Sequence, residues 1–282
     1  MKIRISAEST IDLPKELLDQ YGISVIPFPV ILGDKMGLDG VITPTVIFEY
    51  VDKTGVLPRT SALNEMQYQE YFESILKEGY DAVIHFSLSS GISSTCDHAR
   101  AAAEQVKGAY VVDSKSLSTG IALEAIYASR LAKEGLTPEE IIEKVEKRIP
   151  YNQTSFVLAT VDYLHKGGRC SSLAKLGAQL FRIRPQILMV DGKMGPGKKY
   201  MGKQLQCVES YAEDTLNQFN NPDKSLVFVT HSMATPDMVE ICKKKLVERG
   251  FTNILETTAG ATISSHCGPK CIGILFFNDG GK

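Results

Sequence analysis

The 282-residue sequence predicts an α/β protein of two domains: an N-terminal α/β/α domain on a parallel sheet, residues 1–152, and a C-terminal α/β domain on a mixed sheet, residues 153–282. Three observations lead there. Up to about Pro150, short apolar runs alternate with amphipathic helical stretches, the order that places helices on the faces of a mostly parallel sheet. After Pro150 the rhythm changes, and two extended pieces around residues 192–197 follow one another like the arms of a hairpin, which brings in antiparallel pairing. The chain length, with 43% hydrophobic and 23% charged residues, suits two modest domains with ordinary cores.

Residues 3–6 read as a first strand, and Asp12-Leu13-Pro14 as a helix opening, with Asp to cap and Pro to set φ in the first turn. Residues 23–30 form one extended stretch whose prolines, Pro27 and Pro29, cannot donate to a ladder and argue for an edge. Thr43-Pro44 starts another helix. Asn64-Glu65-Met66-Gln67 has the form of a capping box, and Tyr68, Tyr71, Phe72, Ile75 and Leu76 then recur at helical spacing. Residues 82–86 make a buried-type strand, followed by a Ser/Gly turn and an Ala-rich helix over 97–107. A strand at 109–113 and a helix start at Thr137-Pro138-Glu139-Glu140 complete the first half. Beyond it come a strand at 156–159, a helix at 173–181, the hairpin, and strands at 226–230, 254–258 and 271–277 with helices between.

Charge and cysteines narrow the function classes. A formal net charge of −2 carries no electrostatic footprint for nucleic acid or an anionic membrane. The densest basic run, Lys243-Lys244-Lys245, sits among Asp237, Glu240 and Glu248 as a solvated helix face. No run approaches the ~20 apolar residues of a membrane span, and no apolar stretch of signal-peptide length follows the basic start. The six cysteines, at 96, 170, 207, 242, 267 and 271, form no secreted-type framework, so a reduced, cytoplasmic protein is expected.

Five stretches bear on chemistry. Gly192-Lys193-Met194-Gly195-Pro196-Gly197-Lys198-Lys199 nearly matches a phosphate-binding loop, yet Lys199 replaces the hydroxyl that holds magnesium and no helix opens after it; a hairpin turn is expected. Residues 87–95, Ser-Leu-Ser-Ser-Gly-Ile-Ser-Ser-Thr, join a buried strand to a helix and offer hydroxyls and backbone N–H groups to an anion, or else simply cap that helix. Within them Gly91-Ile92-Ser93-Ser94-Thr95 also resembles a nucleophile elbow, with Asp113, Asp162 or Asp191 as acid and His231 or His266 as base. His266-Cys267-Gly268-Pro269-Lys270-Cys271 invites a metal reading, but no second close pair accompanies it, so no metal is expected and His266 reads as a donor to a carboxylate. Lys166-Gly167-Gly168-Arg169-Cys170-Ser171-Ser172 is a tight turn that holds Arg169 before a helix start capped by the Ser pair.

Taken in order, these segments resemble the DegV family of bacterial fatty-acid-binding proteins over nearly the full length. Ser9-Thr10-Ile11-Asp12-Leu13-Pro14 resembles the opening D-S-T-x-D-L-P, with Glu8 where Asp is usual. Pro58-Arg59-Thr60-Ser61 is similar to P-x-T-S, residues 89–95 to S-S-G-L-S-G-T, and Val112-Asp113-Ser114 with Ser118 and Gly120 to the next signature. The run from Asp162 to Arg169 and His266-Cys267-Gly268-Pro269 complete the set. The resemblance implies two α/β domains enclosing the acyl chain in a tunnel between them. It implies Thr60 and Ser93 on the ligand carboxylate, with Ser61, Arg169 and His266 nearby. It also implies a carrier role, without catalysis, for a separate fatty acid kinase catalytic subunit that phosphorylates the carboxylate, and peripheral membrane contact for lipid exchange. No cofactor is implied; the bound molecule is a fatty acid such as palmitate. Ala62-Leu63-Asn64 in place of Q-P-S, Ala122 where Gly is common, and Ser94 before Thr95 depart from the family pattern and bear on the tunnel's shape.

The physics agrees. Each buried methylene contributes about 0.8 kcal/mol, so a C16 tail gains on the order of 10 kcal/mol before ordering costs, and only an enclosed tunnel collects that. Phe28, Ile31, Leu173, Leu176, Leu180 and Phe181 are the expected wall residues. A carboxylate withdrawn from water must be met by donors, which small hydroxyls supply. The enzymatic rivals are a hydrolase using Ser93 and a histidine, and, by analogy with the substrate-binding half of dihydroxyacetone kinases, a His that holds a small carbonyl compound covalently.

Overall fold

The computed structural model describes residues 1–170, 173 and 183–281. In chain order the first half runs β1 (Ile3–Glu8), α1 (Lys15–Tyr21), β2 (Ile23–Ile26), β3 (Pro29–Leu32), β4 (Lys35–Leu38), α2 (Pro44–Thr54), β5 (Arg59–Thr60), α3 (Glu65–Lys77), β6 (Ala82–Ser87), α4 (Thr95–Gln105), β7 (Ala109–Asp113), α5 (Thr119–Lys133) and α6 (Pro138–Arg148). The second half runs β8 (Asn152–Val157), α7 (Asp162–Lys166), β9 (Arg184–Val190), β10 (Lys193–Tyr200), α8 (Gln204–Gln218), β11 (Val227–Ser232), α9 (Pro236–Glu248), β12 (Ile254–Thr258), α10 (Ala261–Cys267) and β13 (Cys271–Phe277).

The first sheet is wholly parallel, in the order β2-β1-β6-β7, and β6 is buried along its whole length, as a strand covered on both faces must be. The second is mixed, β10-β9-β8-β13-β11-β12, with only β11 and β12 parallel. Two helix starts carry the capping boxes expected. Asn64 accepts from Gln67 N at 2.9 Å while Gln67 reaches back to Asn64 N at 3.0 Å, and Thr137 with Glu140 repeats that box at α6. Asp12, by contrast, does not cap α1, whose N-cap is Pro14, because its carboxylate is taken by Gly260 N and Ser118, and α4 starts at Thr95 rather than 97. At the β9–β10 hairpin, Val190 pairs with Lys193 across a two-residue turn in which Asp191 and Gly192 both take positive φ. The near-phosphate-loop sequence is therefore a strand.

Some expectations are corrected. Residues 23–30 are not one strand: Pro27 removes a donor, the chain bends, and β2 stays at the edge of the parallel sheet while β3 becomes the centre of a third, antiparallel sheet, β4-β3-β5. The strand expected at 156–159 begins earlier, at Asn152, because Asn152 already pairs with Phe277. The lysines of α9 pair with residues from other elements, Lys243 with Glu256 at 2.6 Å and Lys245 with Glu213 at 3.1 Å. The helix expected at 173–181, with Leu176, Leu180 and Phe181 and the Ser171-Ser172 cap, falls outside the described residues apart from Leu173, which is buried.

α5 joins the two halves. It packs on β1 and β6 from one side and on β8 and β13 from the other, so Ile121, Ala122, Leu123, Ala125, Ile126, Ala128 and Leu131 are all buried. A single apolar core consequently runs from Ile5, Ile84 and Phe86 through this helix to Phe156, Phe228 and Leu275. At the rim Arg148 donates to Asp279 at 2.6 and 2.9 Å and to Asp223 at 2.9 Å, tying the end of α6 to the segments flanking β11 and β13. These groups are largely withdrawn from water, so removing one charge strands the others. Arg148→Ala is expected to lower unfolding free energy by about 3–5 kcal/mol in urea titration.

Candidate functional site

The five residues singled out from the sequence come from four separated segments, and all five line one cavity of about 720 Å³ between the parallel and mixed sheets. That size lies within the range of roughly 300–1,000 Å³ typical of small-molecule sites. Thr60 is held on β5 by pairing with Val30, and Ser61 follows it. Ser93 sits in the loop between β6 and α4, Arg169 follows α7, and His266 is carried by α10.

The Ser93 loop is braced at several points. Buried Glu8 accepts from Ser87 Oγ at 2.8 Å, Leu88 N at 2.9 Å and Tyr68 OH at 2.6 Å. Burial pushes its carboxyl up, but nearby His85 and these donors outweigh burial and hold it below the usual carboxylate range. Thus the Glu in place of the usual Asp reaches the root of the loop. Ser90 donates to Asp113, and Ser89 Oγ donates to Gly192 O at 2.7 Å, linking the loop to the tip of the β9–β10 hairpin. The two backbones meet so closely that a Cβ on Gly91 would lie 2.2 Å from Gly192 O.

Thr60 Oγ1 lies 2.9 Å from His266 Nε2. Burial, with the Arg169 charge adding to it, lowers the His266 pKa to about 4, so the ring is neutral at pH 7 and carries one N–H. Its Nδ1 is shielded from solvent and has no partner among the described residues. A buried N–H without an acceptor is rarer and costlier than an underused lone pair, so we assign the proton to Nε2. His266 then donates to Thr60, and the Thr60 O–H is left to donate into the cavity. Ser93 Oγ accepts from Thr95 N at 3.2 Å and likewise keeps its O–H. Exposed Arg169 donates to Gly167 O at 2.9 Å and supplies positive charge close to the His266 ring.

Away from these groups the wall is mixed: Phe28, Leu88 and Leu117 from the first half and Phe156, Met194 and Leu275 from the second supply apolar surface, while Ser118, Ser155, Thr230, His231 and Ser232 add polar groups. Phe28 was expected there. Ile31 was too, but it pairs with Met36 and Arg59 in the small sheet and is not among the wall residues. The other apolar wall residues carry no signal beyond hydrophobicity in a strand or turn.

The hydrolase arrangement is not assembled. Ser93 bonds no histidine; His266 faces Thr60 and His231 faces Glu256. Asp113 is engaged by Ser90 and Lys115, and Asp162 by Thr160. Among the described residues no three His, Cys, Asp or Glu side chains converge as metal ligands, and no helix is long and apolar enough to cross a membrane.

Fold and site together define a two-lobed α/β protein with a cavity at the seam, lined by apolar side chains and hydroxyls from both halves. The chain belongs to the DegV family, a family of uncharacterised proteins, which it matches across residues 2–279. A DegV domain-containing protein of Caldanaerobacter subterraneus is 29% identical over 279 residues, 98% of each chain. A Thermotoga maritima protein named as fatty acid-binding is 27% identical, covering 97% of this chain and 96% of its own. Among solved structures, a Thermus thermophilus DegV family protein described by its fatty acid binding superposes with a TM-score of 0.90 at 25% identity, over 98% of this chain and 99% of its own. DegV of Bacillus subtilis, described as a fatty acid binding protein, gives 0.86 at 26% identity over 98% and 99%.

Two outcomes follow from this geometry. Because the folded His266 pKa is depressed from 6.5, the unfolded chain takes up its proton first, and stability falls as pH drops from about 6.5 to about 4. The loss reaches at most about 3 kcal/mol, and His266→Gln is expected to remove that part of the pH dependence in urea titrations. Gly91→Ala is expected to cost about 1–3 kcal/mol by forcing the loop off the hairpin, read by the same titration.

Proposed function

We propose that this chain binds one long-chain fatty acid, with the tail in the cavity and the carboxylate accepting hydrogen bonds from Thr60 and Ser93. His266 orients Thr60, and Arg169 with Ser61 completes the polar end. The observation that carries this reading is a cavity with apolar wall residues from both halves that meets two hydroxyls whose hydrogens are unspent among the described residues, beside a histidine kept neutral. Each such bond to a charged group contributes about 1.5–3 kcal/mol, and the methylenes contribute about 0.8 kcal/mol apiece. Tail and head therefore both add to affinity, and neither hydroxyl needs to move a proton. The fatty acid-binding names of the Thermotoga maritima, Thermus thermophilus and Bacillus subtilis relatives support the same ligand class.

On this reading the protein is a carrier without catalytic activity of its own. It is cytoplasmic, presents the carboxylate to a fatty acid kinase catalytic subunit, and touches the membrane only peripherally to exchange lipid. We place the division between the lobes at 152/153, one residue into β8, the strand that opens the mixed sheet. Denaturing extraction of the purified protein followed by lipid mass spectrometry should recover stoichiometric fatty acid. Thr60→Ala with Ser93→Ala should reduce affinity by about a hundredfold or more, from two lost bonds to a charged group. Lipid content unchanged in the folded double variant would refute the assignment.

A further inference from the structure

We propose that Asp12 and Asp39 are positioning residues for the carboxylate end of the cavity, a role that rests on the fatty acid reading of that site: they hold α10 against the first half of the chain so that His266 meets Thr60. α10 is only seven residues long, and its N-cap, Gly260, has no side chain to satisfy the first N–H groups. The caps come from the other half of the molecule. Asp12 Oδ1 accepts from Gly260 N at 2.7 Å, and Asp39 accepts from Ala261 N at 2.7 Å and Thr262 N at 3.0 Å. Residue 260 must lack a side chain for this to happen, since a Cβ there would lie 2.9 Å from Asp39 Oδ1 and 3.3 Å from Asp12 Oδ1.

Both carboxylates are held in place. Ser118 donates to Asp12 Oδ2 at 2.5 Å, and Ser9 donates to Asp39 Oδ2 at 3.1 Å while accepting from Phe28 N. Ser118 does so from φ 54° and ψ −141°, a conformation costing about 1–3 kcal/mol in a residue with a side chain. Asp12 and Asp39 are 5% and 7% exposed, and among the described residues neither pairs with a cation. Burying two acids against backbone N–H groups and single hydroxyls, with no cation, is costly, and burial pushes the Asp12 carboxyl well up. The arrangement is explained if what it secures is the position of α10.

The helix works as a short rigid rod. At 1.5 Å rise per residue, His266 stands about 9 Å along it from Gly260, so a shift at the capped end is carried to the imidazole. A hydrogen-bonded pair tolerates roughly 0.5 Å of error before its geometry degrades. Ala261 also packs in an apolar cluster with Val30, Ile47, Phe48 and Tyr163, so losing one carboxylate displaces α10 without freeing it.

The test compares binding of hexadecanoic acid with that of hexadecanol, which keeps the tail and lacks the carboxylate. It uses wild type, Asp39→Asn, Asp12→Asn and, as a remote destabilised control in the other core, Leu246→Ala. Asp39→Asn is expected to weaken the acid about tenfold, as for one mispaired buried donor, with the alcohol and the control's preference unchanged and the His266 ring nitrogen signals displaced in NMR. Folded Asn variants that keep the wild-type preference and ring signals would overturn the proposal. If they do not fold, Gly260→Ala retains both acids but pushes them off the N–H groups, and an unchanged preference and ring signals in that variant would overturn it equally. Should wild type bind neither compound, the fatty acid reading fails, while the ring signals still report whether Asp12 and Asp39 place His266.

Discussion

The hydrogen bond between Thr60 and His266 spans 206 positions of the chain, and the polar end of the cavity depends on it. One partner lies on a two-residue strand that exists only because β3 is there to pair with it. The other lies on a helix too short to be stable alone. Neither segment has a reason to take up its position without the remainder of its lobe, so the site forms only when both halves are folded and docked. A neutral imidazole suits such a junction, because it directs the threonine hydrogen toward the cavity without burying a charge beside it.

Around that bond the molecule separates its polar burdens. Glu8 with Tyr68, Ser87 and His85 braces the root of the Ser93 loop inside the first lobe, and the hairpin of the second lobe presses on the loop's crest at Gly91. The cavity's apolar walls lie between these two supports, fed by residues from both sheets. Polar groups that brace are turned into the lobes and satisfied there, while Thr60 and Ser93 keep donating capacity for a guest.

Much of this was legible in the sequence, for physical reasons that differ by element. The runs at 82–86 and 271–277 announce strands because a strand buried on both faces demands near-unbroken hydrophobicity, and the boxes at Asn64 and Thr137 are purely local chemistry. The five residues named from ordered signature segments all line the cavity. What stayed hidden was settled by tertiary contacts. Residues 23–30 look continuous, yet their two halves answer to different sheets. Thr60's strand is too short to leave a pattern. Asp39 belongs to no motif, and its importance emerges only when Ala261 and Thr262, more than two hundred residues away, come to rest upon it. Ile31 was misplaced because strand alternation alone does not say which face of the small sheet meets the cavity.

The burial of α5 on opposite sides has a consequence for biosynthesis. Its sequence is complete before half the protein has left the ribosome, and the parallel sheet can cover one flank at once. The opposite flank waits for β8 and for β13, the last strand to be made. That flank of the nascent helix is therefore fully covered only once the final strand has been made.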